Sequence, residues 1–171
     1  MGSASAQKQM DTRDKILSRS GLHELIAEHR RASRKIVFAN GVFDLLHVGH
    51  VRYLQAAKAE GDVLIVGINS DSSTRRLKGK GRPILTERAR ASLVAALAAV
   101  DYVVIFDELN VESLLRELQP DVHAKGTDYT PDSVPERDLA ALLGIRVAIV
   151  GDPKDHSTRE LLDRVRRKSD G

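Results

Sequence analysis

The chain has 171 residues, of which 42% are hydrophobic and 30% are charged, as is usual for one globular domain. The absence of cysteine excludes disulfides, iron–sulfur clusters, thiolate zinc sites and cysteine nucleophiles, and no apolar run approaches the ~20 residues of a membrane span. The net charge is +3, from 27 basic and 24 acidic residues that are unevenly distributed along the chain.

The first predicted element is a leader helix ahead of the main fold. Residues 1–9 lack the apolar centre of a signal peptide, so the chain fits a cytoplasmic location without membrane contact. These residues are assigned no role in the fold, and residues 1–19 are predicted to form a flexible N-terminus. The leader helix is predicted from Ser20 to about Arg31, at the start of a single domain over residues 20–168.

Short apolar runs rich in β-branched residues then alternate with helical stretches, the pattern of a parallel sheet covered by helices. The five predicted strands are residues 35–40, 62–69, 101–106, 121–125 and 145–150. The second run is almost entirely apolar, as a strand buried on both faces must be. The fold class is therefore predicted to be α/β, with a single doubly wound parallel sheet.

Helix ends between these strands are indicated by capping residues. Helices are predicted at residues 48–60, from Thr86 to Ala99, at residues 111–118, and after capping boxes that begin at Ser133 and Ser157. Gly61 is predicted to end the first of them as a left-handed glycine. In such a sheet ligands bind beyond the carboxyl ends of the strands, where the strand order reverses.

Several common nucleotide and hydrolase motifs are missing from the sequence. No Gly-x-Gly-x-x-Gly follows the first predicted strand, no Gly-x-x-x-x-Gly-Lys-Ser/Thr occurs, and no Gly-x-Ser-x-Gly occurs. These absences argue against a nicotinamide or flavin dehydrogenase, a P-loop kinase and a serine hydrolase of the nucleophile-elbow type.

The segment after the first predicted strand, NGVFDLLHVGH over residues 40–50, is the strongest candidate for chemistry. Gly41 permits a tight turn or a close approach to a ligand. His47 and His50 bracket Gly49 where a helix begins, and a helix N-terminus offers N–H groups and partial positive charge to phosphate. Zinc binding or two incidental histidines are the alternatives.

A cluster of basic residues follows in the chain. Seven cations stand against the single acid Glu87 in this stretch: Arg75, Arg76, Lys78, Lys80, Arg82, Arg88 and Arg90. Such a cluster attracts a polyanion, either a nucleic acid or a nucleoside triphosphate. The alternative is a solvated loop and helix face.

The residues from Asn40 to Asp44, followed by His47-x-Gly-His50, resemble the signature of the cytidylyltransferase-like nucleotidyltransferases, the HxGH superfamily. This resemblance implies a Rossmann-like sheet and covers about residues 20–168. Val42 stands where the heptose enzymes of this superfamily often have cysteine.

Two further segments resemble the heptose 1-phosphate adenylyltransferases within that superfamily. They are Arg-Leu-Lys-Gly at residues 76–79 and Lys-Gly-Thr-Asp-Tyr at residues 125–129. Thr127 and Arg159 depart from this branch, which often has glycine and threonine at these positions. Both departures border the expected site and bear on substrate preference.

The resemblance implies transfer of AMP from ATP to D-glycero-β-D-manno-heptose 1-phosphate, with Mg²⁺ accompanying ATP and ADP-heptose and pyrophosphate as products. It also implies a homodimer and a role in lipopolysaccharide or related glycans, and we expect a separate kinase to supply the sugar phosphate. The first alternative is a cytidylyltransferase acting on glycerol 3-phosphate or another alcohol phosphate. The second is a non-catalytic nucleic-acid-binding module, although the chain has no tryptophan and lacks an evident stacking platform.

Site residues follow from the same resemblance. His47 and His50 are expected to bind phosphates in the transition state, Lys78 to reach the α-phosphate from a mobile glycine-rich segment, and Arg90 to hold the β- and γ-phosphates. The predicted nucleotide-binding residues are Asn40, Gly41, Val42, Phe43, Asp44, Gly49, Lys125, Gly126, Asp128, Tyr129, Ser157 and Thr158.

Each of these roles has a structural alternative. Asp44 is expected to order the site or a metal-bound water, and no other metal ligand is predicted. Lys78 is otherwise a surface lysine, and Arg90 a partner of Glu87. Ser157 is otherwise only a helix cap, and Asp128 only a turn residue.

Overall fold

The structure, a computed structural model, describes residues 11–153 together with residues 162, 163, 165 and 167. Its strands are β1 (Ile16–Leu17), β2 (Ile36–Gly41), β3 (Val63–Asn69), β4 (Tyr102–Phe106), β5 (Val122–Gly126) and β6 (Arg146–Val150). Its helices are α1 (Arg19–Arg31), α2 (Val48–Lys58), α3 (Asp71–Lys78), α4 (Glu87–Ala95), α5 (Glu112–Leu118) and α6 (Arg137–Leu142). A short 3₁₀ helix at Thr12–Lys15 precedes β1.

The strands form one parallel sheet in the order β1-β4-β3-β2-β5-β6. The central strand β2 pairs with β3 on one side and with β5 on the other. The chain therefore builds outward from β2 in one direction through β3 and β4, and then in the other through β5 and β6. This arrangement confirms the predicted doubly wound α/β fold and places the reversal of strand order between β2 and β5.

Each face of the sheet carries its own hydrophobic core, because neighbouring residues of a strand point to opposite faces. Val37 belongs to the core that includes Leu54 of α2 and Val94 of α4. Phe38, the next residue, belongs to the core that includes Leu115 of α5. Helices on both faces thus bury the sheet, and the loops at its carboxyl edge stay open to a ligand.

The five predicted strands are each found within about one residue of their predicted bounds, but no strand was predicted before Ser20. There the structure places β1, whose Ile16 and Leu17 pair with Val103 and Val104 at the sheet edge. Two residues are too few to show an alternating pattern. The leader helix begins one residue earlier than predicted, because Ser18 caps it by accepting from the Gly21 N–H at 3.2 Å.

Two further helix boundaries differ from their predictions, and a third predicted helix start is not described. The helix that Thr86 caps ends at Ala95 rather than Ala99. The helix predicted after Ser133 begins only at Arg137, because the Ser133 hydroxyl is bonded to Thr130 within a turn. The capping box at Ser157 lies outside the described residues.

Gly61 does not have the predicted left-handed conformation. A Cβ at Gly61 would stand 2.7 Å from Val37 Cγ2 and 2.8 Å from the Lys35 carbonyl oxygen, so close approach of two segments explains this glycine. Lys78 is also placed differently, because it is the last residue of α3 and Gly79, at φ +89°, ends that helix. Among the described helices, none combines the length and hydrophobicity that a membrane span needs.

Candidate active site

A cleft of about 1670 Å³ opens at the carboxyl edge of the sheet, where the strand order reverses. Most of the residues predicted for the site line it: Asn40, Gly41, Val42, Phe43, Asp44, His47, Gly49, His50, Lys78, Lys125, Gly126, Asp128 and Tyr129. Ser157 and Thr158 lie outside the described residues. Arg90 is described but does not line the cleft.

The loop between β2 and α2 presents two histidines at the first turn of α2. His47 is the N-cap residue, and its ring stacks on that of His50 with centroids 3.8 Å apart. Phe43 packs edge-on against His50 at 5.2 Å. The backbone N–H of His47 donates to His50 Nδ1 at 3.4 Å, so a neutral His50 carries its proton on Nε2 as a donor.

The start of α2 adds backbone groups to these two rings. The first N–H groups of an α-helix have no acceptor within the helix, and they carry the positive end of its dipole. Both features favour a phosphate in front of His47 and His50. The loop therefore combines imidazole donors and helix N–H groups on one wall of the cleft.

Asp44 is buried and holds the segment from Arg82 to Leu85, which forms another wall of the cleft. Its Oδ1 accepts the backbone N–H groups of Ile84 at 2.8 Å and Leu85 at 3.1 Å, and its Oδ2 lies 2.9 Å from Arg82 Nη1. The carboxylate therefore orders the site through protein contacts. Oδ2 pairs with Arg82 but has no hydrogen-bond partner among the described residues, so the expected role of Asp44 in ordering a metal-bound water stays a prediction.

The expected phosphate contact of Arg90 is not found, because this side chain is fully buried, with 0% exposed. Its Nη1 donates to the carbonyl oxygens of Val42 and Asn69, each at 2.7 Å. Its Nε donates to the Leu85 carbonyl oxygen at 3.0 Å, and its Nη2 pairs with Asp71 at 2.8 Å. The guanidinium joins three chain segments behind the cleft: the loop after β2, the junction of β3 with α3, and the loop before α4. The alternative partner, Glu87, is not among these contacts.

The remaining cations of the basic cluster do not act as one surface. Arg76 bonds to the Asp107 carbonyl oxygen, and Arg82 pairs with Asp44. Lys78 and Lys80 are exposed and line the cleft. His47, His50, Lys78 and Lys80 are called the basic end of the cleft below.

The opposite side of the cleft is built from β5 and from the end of β2. Asn40 Oδ1 accepts from Lys125 Nζ at 3.3 Å and lies 3.1 Å from His123 Nε2. An ammonium can only donate, so the atom that faces Lys125 is the amide oxygen, and His123 must donate from Nε2. The Asn40 amide nitrogen is thereby left with two N–H donors for the cleft.

His123 was not foreseen by sequence reasoning. It is fully buried, and its ring lies beside Phe38 at 5.7 Å. Burial, with a smaller contribution from the Lys125 ammonium, lowers the pKa of His123 to about 3. A neutral histidine thus holds the orientation of Asn40 at ordinary pH.

Glu136 is a second residue that the sequence analysis missed, because it was assigned only to a capping box. It is 5% exposed, lines the cleft, and places Oε2 3.2 Å from Lys125 Nζ. Lys125 also lies 5.1 Å from the ring centroid of Tyr129. Burial, together with the nearby charge of Asp128, raises the pKa of Tyr129, so its hydroxyl stays protonated. Asn40, Lys125, Tyr129 and Glu136 are called the paired end below.

Thr127, one of the two departures from the heptose branch, has a structural contact of its own. Its hydroxyl donates to the Asp152 carbonyl oxygen at 2.7 Å, and the Asp152 carboxylate pairs with Arg52 at 2.8 Å. Thr127 therefore ties the loop after β5 to the loop after β6. Arg159, the other departure, lies outside the described residues. Within the part of the chain that is described, no group of three histidine or acidic residues is arranged to hold a metal ion.

The chain matches the model of the cytidylyltransferase-like family over residues 38–164. It is 44% identical to the bifunctional protein HldE of Syntrophotalea carbinolica over 162 residues, which are 95% of this chain and 33% of that protein. It is 48% identical to the bifunctional protein HldE of Geobacter metallireducens over 157 residues, covering 92% of this chain and 32% of that protein. The chain thus spans about a third of the length of these curated relatives.

A solved structure shares the fold. The crystal structure of the lipopolysaccharide core biosynthesis protein from Thermoplasma volcanium superposes with a TM-score of 0.60 at 31% sequence identity. The match covers 71% of this chain and 99% of the Thermoplasma chain.

Proposed function

The chain belongs to the cytidylyltransferase-like family and is a nucleotidyltransferase, and from that premise we propose the donor and the acceptor that it uses. The donor is ATP, and the acceptor is D-glycero-β-D-manno-heptose 1-phosphate. The products are ADP-heptose and pyrophosphate. The alternative of a non-catalytic nucleic-acid-binding module has no support from the family.

The placement of His47 and His50 at the first turn of α2, inside the cleft, is the observation that carries the proposal. Such a wall binds phosphate and stabilises charge that grows on it. The choice of heptose is supported by the relatives named bifunctional protein HldE and by the likeness to a lipopolysaccharide core biosynthesis protein. It is also supported by the segments at residues 76–79 and 125–129.

The reaction needs no nucleophilic side chain. An oxygen of the sugar phosphate attacks the α-phosphorus of ATP, the bond from that phosphorus to the bridging oxygen breaks, and pyrophosphate leaves with the electron pair. The attacking phosphate is already ionised near neutral pH, so no general base is required. The protein must bring two anions together and stabilise the charge that builds on the α-phosphate and the leaving group.

The residues of the cleft divide these tasks. His47, His50 and the first N–H groups of α2 stabilise the α-phosphate in the transition state. Lys78, at the end of α3 beside the flexible Gly79, reaches the triphosphate from the other side. The Asn40 amide nitrogen donates to a phosphate oxygen between them.

We also propose roles for the metal ion and the remaining cleft residues, together with an oligomeric state, a location and a source of the sugar phosphate. Mg²⁺ bound with the triphosphate would offset its charge, and Asp44 is the described residue that would order one of its waters. Lys125, Gly126, Asp128 and Tyr129 contact the nucleoside or the sugar. The protein works as a homodimer in the cytoplasm, and a kinase reaction supplies the sugar 1-phosphate.

Pyrophosphate release tests the proposal. The purified chain is assayed with ATP and heptose 1-phosphate, with CTP and glycerol 3-phosphate, and with the two crossed pairs. We expect kcat/KM to be highest for ATP with heptose 1-phosphate, by as much as ~10⁴-fold if the site pairs with the sugar hydroxyls. A higher kcat/KM for CTP with glycerol 3-phosphate would overturn the heptose assignment and leave nucleotidyl transfer standing.

A further inference from the structure

A buried carboxylate lines the cleft at its paired end. Glu136 is 5% exposed, and its Oε2 has no hydrogen-bond partner although it lies 3.2 Å from Lys125 Nζ. Buried polar atoms in folded proteins are nearly always hydrogen-bonded, because leaving one unpaired costs free energy. An incompletely bonded carboxylate in a ligand cleft therefore indicates a partner that arrives with the ligand.

The chemistry of that partner follows from the charges. A carboxylate repels phosphate, and here it also neutralises Lys125, so the paired end offers no net positive charge for an anion. An ionised carboxylate has only acceptor oxygens. The group that meets Glu136 is therefore an uncharged N–H or O–H donor.

The neighbouring side chains fit the same kind of ligand. Tyr129 is half-buried beside Lys125 and offers an aromatic face, which suits a nucleobase or the apolar face of a sugar ring. The Asn40 side chain bonds to Lys125 and lines the same cleft as the histidines of α2. A ligand with phosphates at the basic end would thus extend its uncharged part toward Glu136.

We propose that Glu136 is a specificity-determining residue that accepts a hydrogen bond from an uncharged N–H or O–H group of a bound reactant. Two groups carry this chemistry, the exocyclic amine of adenine in ATP and a hydroxyl of the sugar phosphate. Lys125 keeps the carboxylate in place and acts as its positioning residue. This inference rests on the proposed function for the identity of the two reactants.

The test measures binding selectivity in E136Q by titration calorimetry. A glutamine keeps the shape of the side chain, but its amide donates as well as accepts, so it no longer selects for a donor. One arm compares ATP with inosine triphosphate, which carries a carbonyl where ATP carries its amine. The other arm compares heptose 1-phosphate with methyl phosphate, which has a phosphate monoester without hydroxyls.

We expect one of the two affinity ratios to fall by about 10- to 100-fold in E136Q, the size expected for a lost hydrogen bond to a charged group. Loss of the preference for ATP identifies the amine as the donor, and loss of the preference for heptose 1-phosphate identifies a sugar hydroxyl. Both ratios unchanged in a folded E136Q would overturn the proposal.

Two further variants separate ligand binding from stability. D138N alters a neighbouring exposed acid that pairs with Arg137 in the described part of the chain and does not line the cleft, so both ratios should match those of the wild type. K125M/E136L replaces the pair with apolar side chains, a change that buried ion pairs often tolerate. It should fold, as judged by thermal unfolding, and lose the same preference as E136Q; a folded double variant that kept both preferences would contradict the proposal.

Because binding is measured without turnover, the two hypotheses can fail separately. A wild-type protein that releases no pyrophosphate with heptose 1-phosphate, yet prefers ATP through Glu136, would refute the proposed acceptor alone. A wild-type protein that is active with ATP and heptose 1-phosphate, with selectivity unchanged in E136Q, would refute the role of Glu136 alone.

Discussion

At the basic end of the cleft Lys78 and Lys80 are exposed to solvent, whereas at the paired end Lys125 is buried against Glu136. An exposed cation keeps its water shell until an anion replaces it, and it is free to follow the anion. A buried ion pair is held in place before the ligand arrives. It therefore offers a hydrogen-bond acceptor in a fixed direction and no net charge. We therefore propose that one cleft uses charge to bind phosphates and a fixed carboxylate to select what is attached to them.

The largest effect is expected at the histidines of the basic end. Replacing His47 or His50 with alanine removes a donor that acts mainly on charge developed in the transition state. We expect kcat to fall by on the order of 10²–10³-fold with little change in the KM for nucleotide. Steady-state kinetics check this, with H23A as control because His23 is an exposed histidine on α1. If both alanine variants had a kcat near that of the wild type, the proposed role of the two histidines would be wrong.

Lys78 tests whether the exposed cations work as proposed. K78A should lower kcat/KM for the nucleotide by about 10- to 100-fold, the loss expected for one charge-assisted hydrogen bond, without lowering the midpoint of thermal unfolding. R75A is the matched control, because Arg75 lies on the same helix and does not line the cleft.

The same lysine predicts a ligand-dependent change in its loop. Because residues 79–81 are exposed and two of them are glycines, we expect the segment that follows α3 to move when a triphosphate binds. We expect an ATP analogue with Mg²⁺ to protect residues 79–82 from limited proteolysis. Unchanged cleavage together with an active K78A would contradict a role in triphosphate binding and would show that this segment is only an exposed basic loop.

Replacing Arg90 should affect stability rather than substrate binding, because this residue is buried behind the cleft. A lysine has one nitrogen where this arginine bonds to three carbonyl oxygens and Asp71. R90K should lower the free energy of unfolding by about 2–4 kcal/mol and leave the KM for ATP near its wild-type value. Urea unfolding measures the loss, and R88K, at an exposed position of the same helix, should stay within about 0.5 kcal/mol of wild type. An R90K variant with wild-type stability and a tenfold higher KM for ATP would contradict this prediction and support the phosphate contact that was expected from the sequence.

The smallest effect concerns His123 at the paired end. Its folded-state pKa of about 3 lies below the value near 6.5 of an unfolded histidine, so the unfolded chain gains a proton first as the pH falls. The stability from neutral His123 is therefore present above pH 6.5 and is lost below it. Between pH 7.5 and 5.5 the wild type should lose about 1.4 kcal/mol more unfolding free energy than H123Q.

Urea unfolding at the two pH values checks this difference. H23Q serves as the control for the loss of a histidine, because it removes an exposed histidine from α1. Parallel pH dependence of wild type and H123Q would contradict the buried, neutral state of His123.

The basic end and the paired end also differed in how far the sequence could predict them. Residues 40–50 carry strand, turn and helix start within eleven consecutive positions, so local pattern places both histidines at the start of α2. Asn40 meets His123 and Lys125 only because β5 lies beside β2, and these contacts span more than eighty positions of sequence. Nothing local specifies such neighbours.

Weak signals for the missed residues were nevertheless present. Glu136, the N-cap of α6, stands three and four positions before Leu139 and Ala140, at the spacing of the buried face of the helix, where an acid is unexpected. His123 and Lys125 alternate with apolar residues in a strand that is covered on both faces. Polar residues at core positions pointed to the site before any contact was known.

Arg90 shows the reverse error. The family resemblance suggested a phosphate contact for this residue of the basic cluster, but its guanidinium bonds to the carbonyl oxygens of Val42 and Asn69, which are distant in sequence, and to that of nearby Leu85. Sequence separation hides such a contact. Lys78 does line the cleft as expected, and Lys80, for which no site role was predicted, lines it too.

The division of the cleft is tested most directly by a crystal structure of the protein with Mg²⁺ and α,β-methylene ATP. The account predicts phosphate oxygens about 3 Å from the imidazole donors of His47 and His50 and from the first N–H groups of α2, with no phosphate at Lys125 and Glu136. Phosphates bound at Lys125, with His47 and His50 out of contact, would contradict the assignment of the two ends.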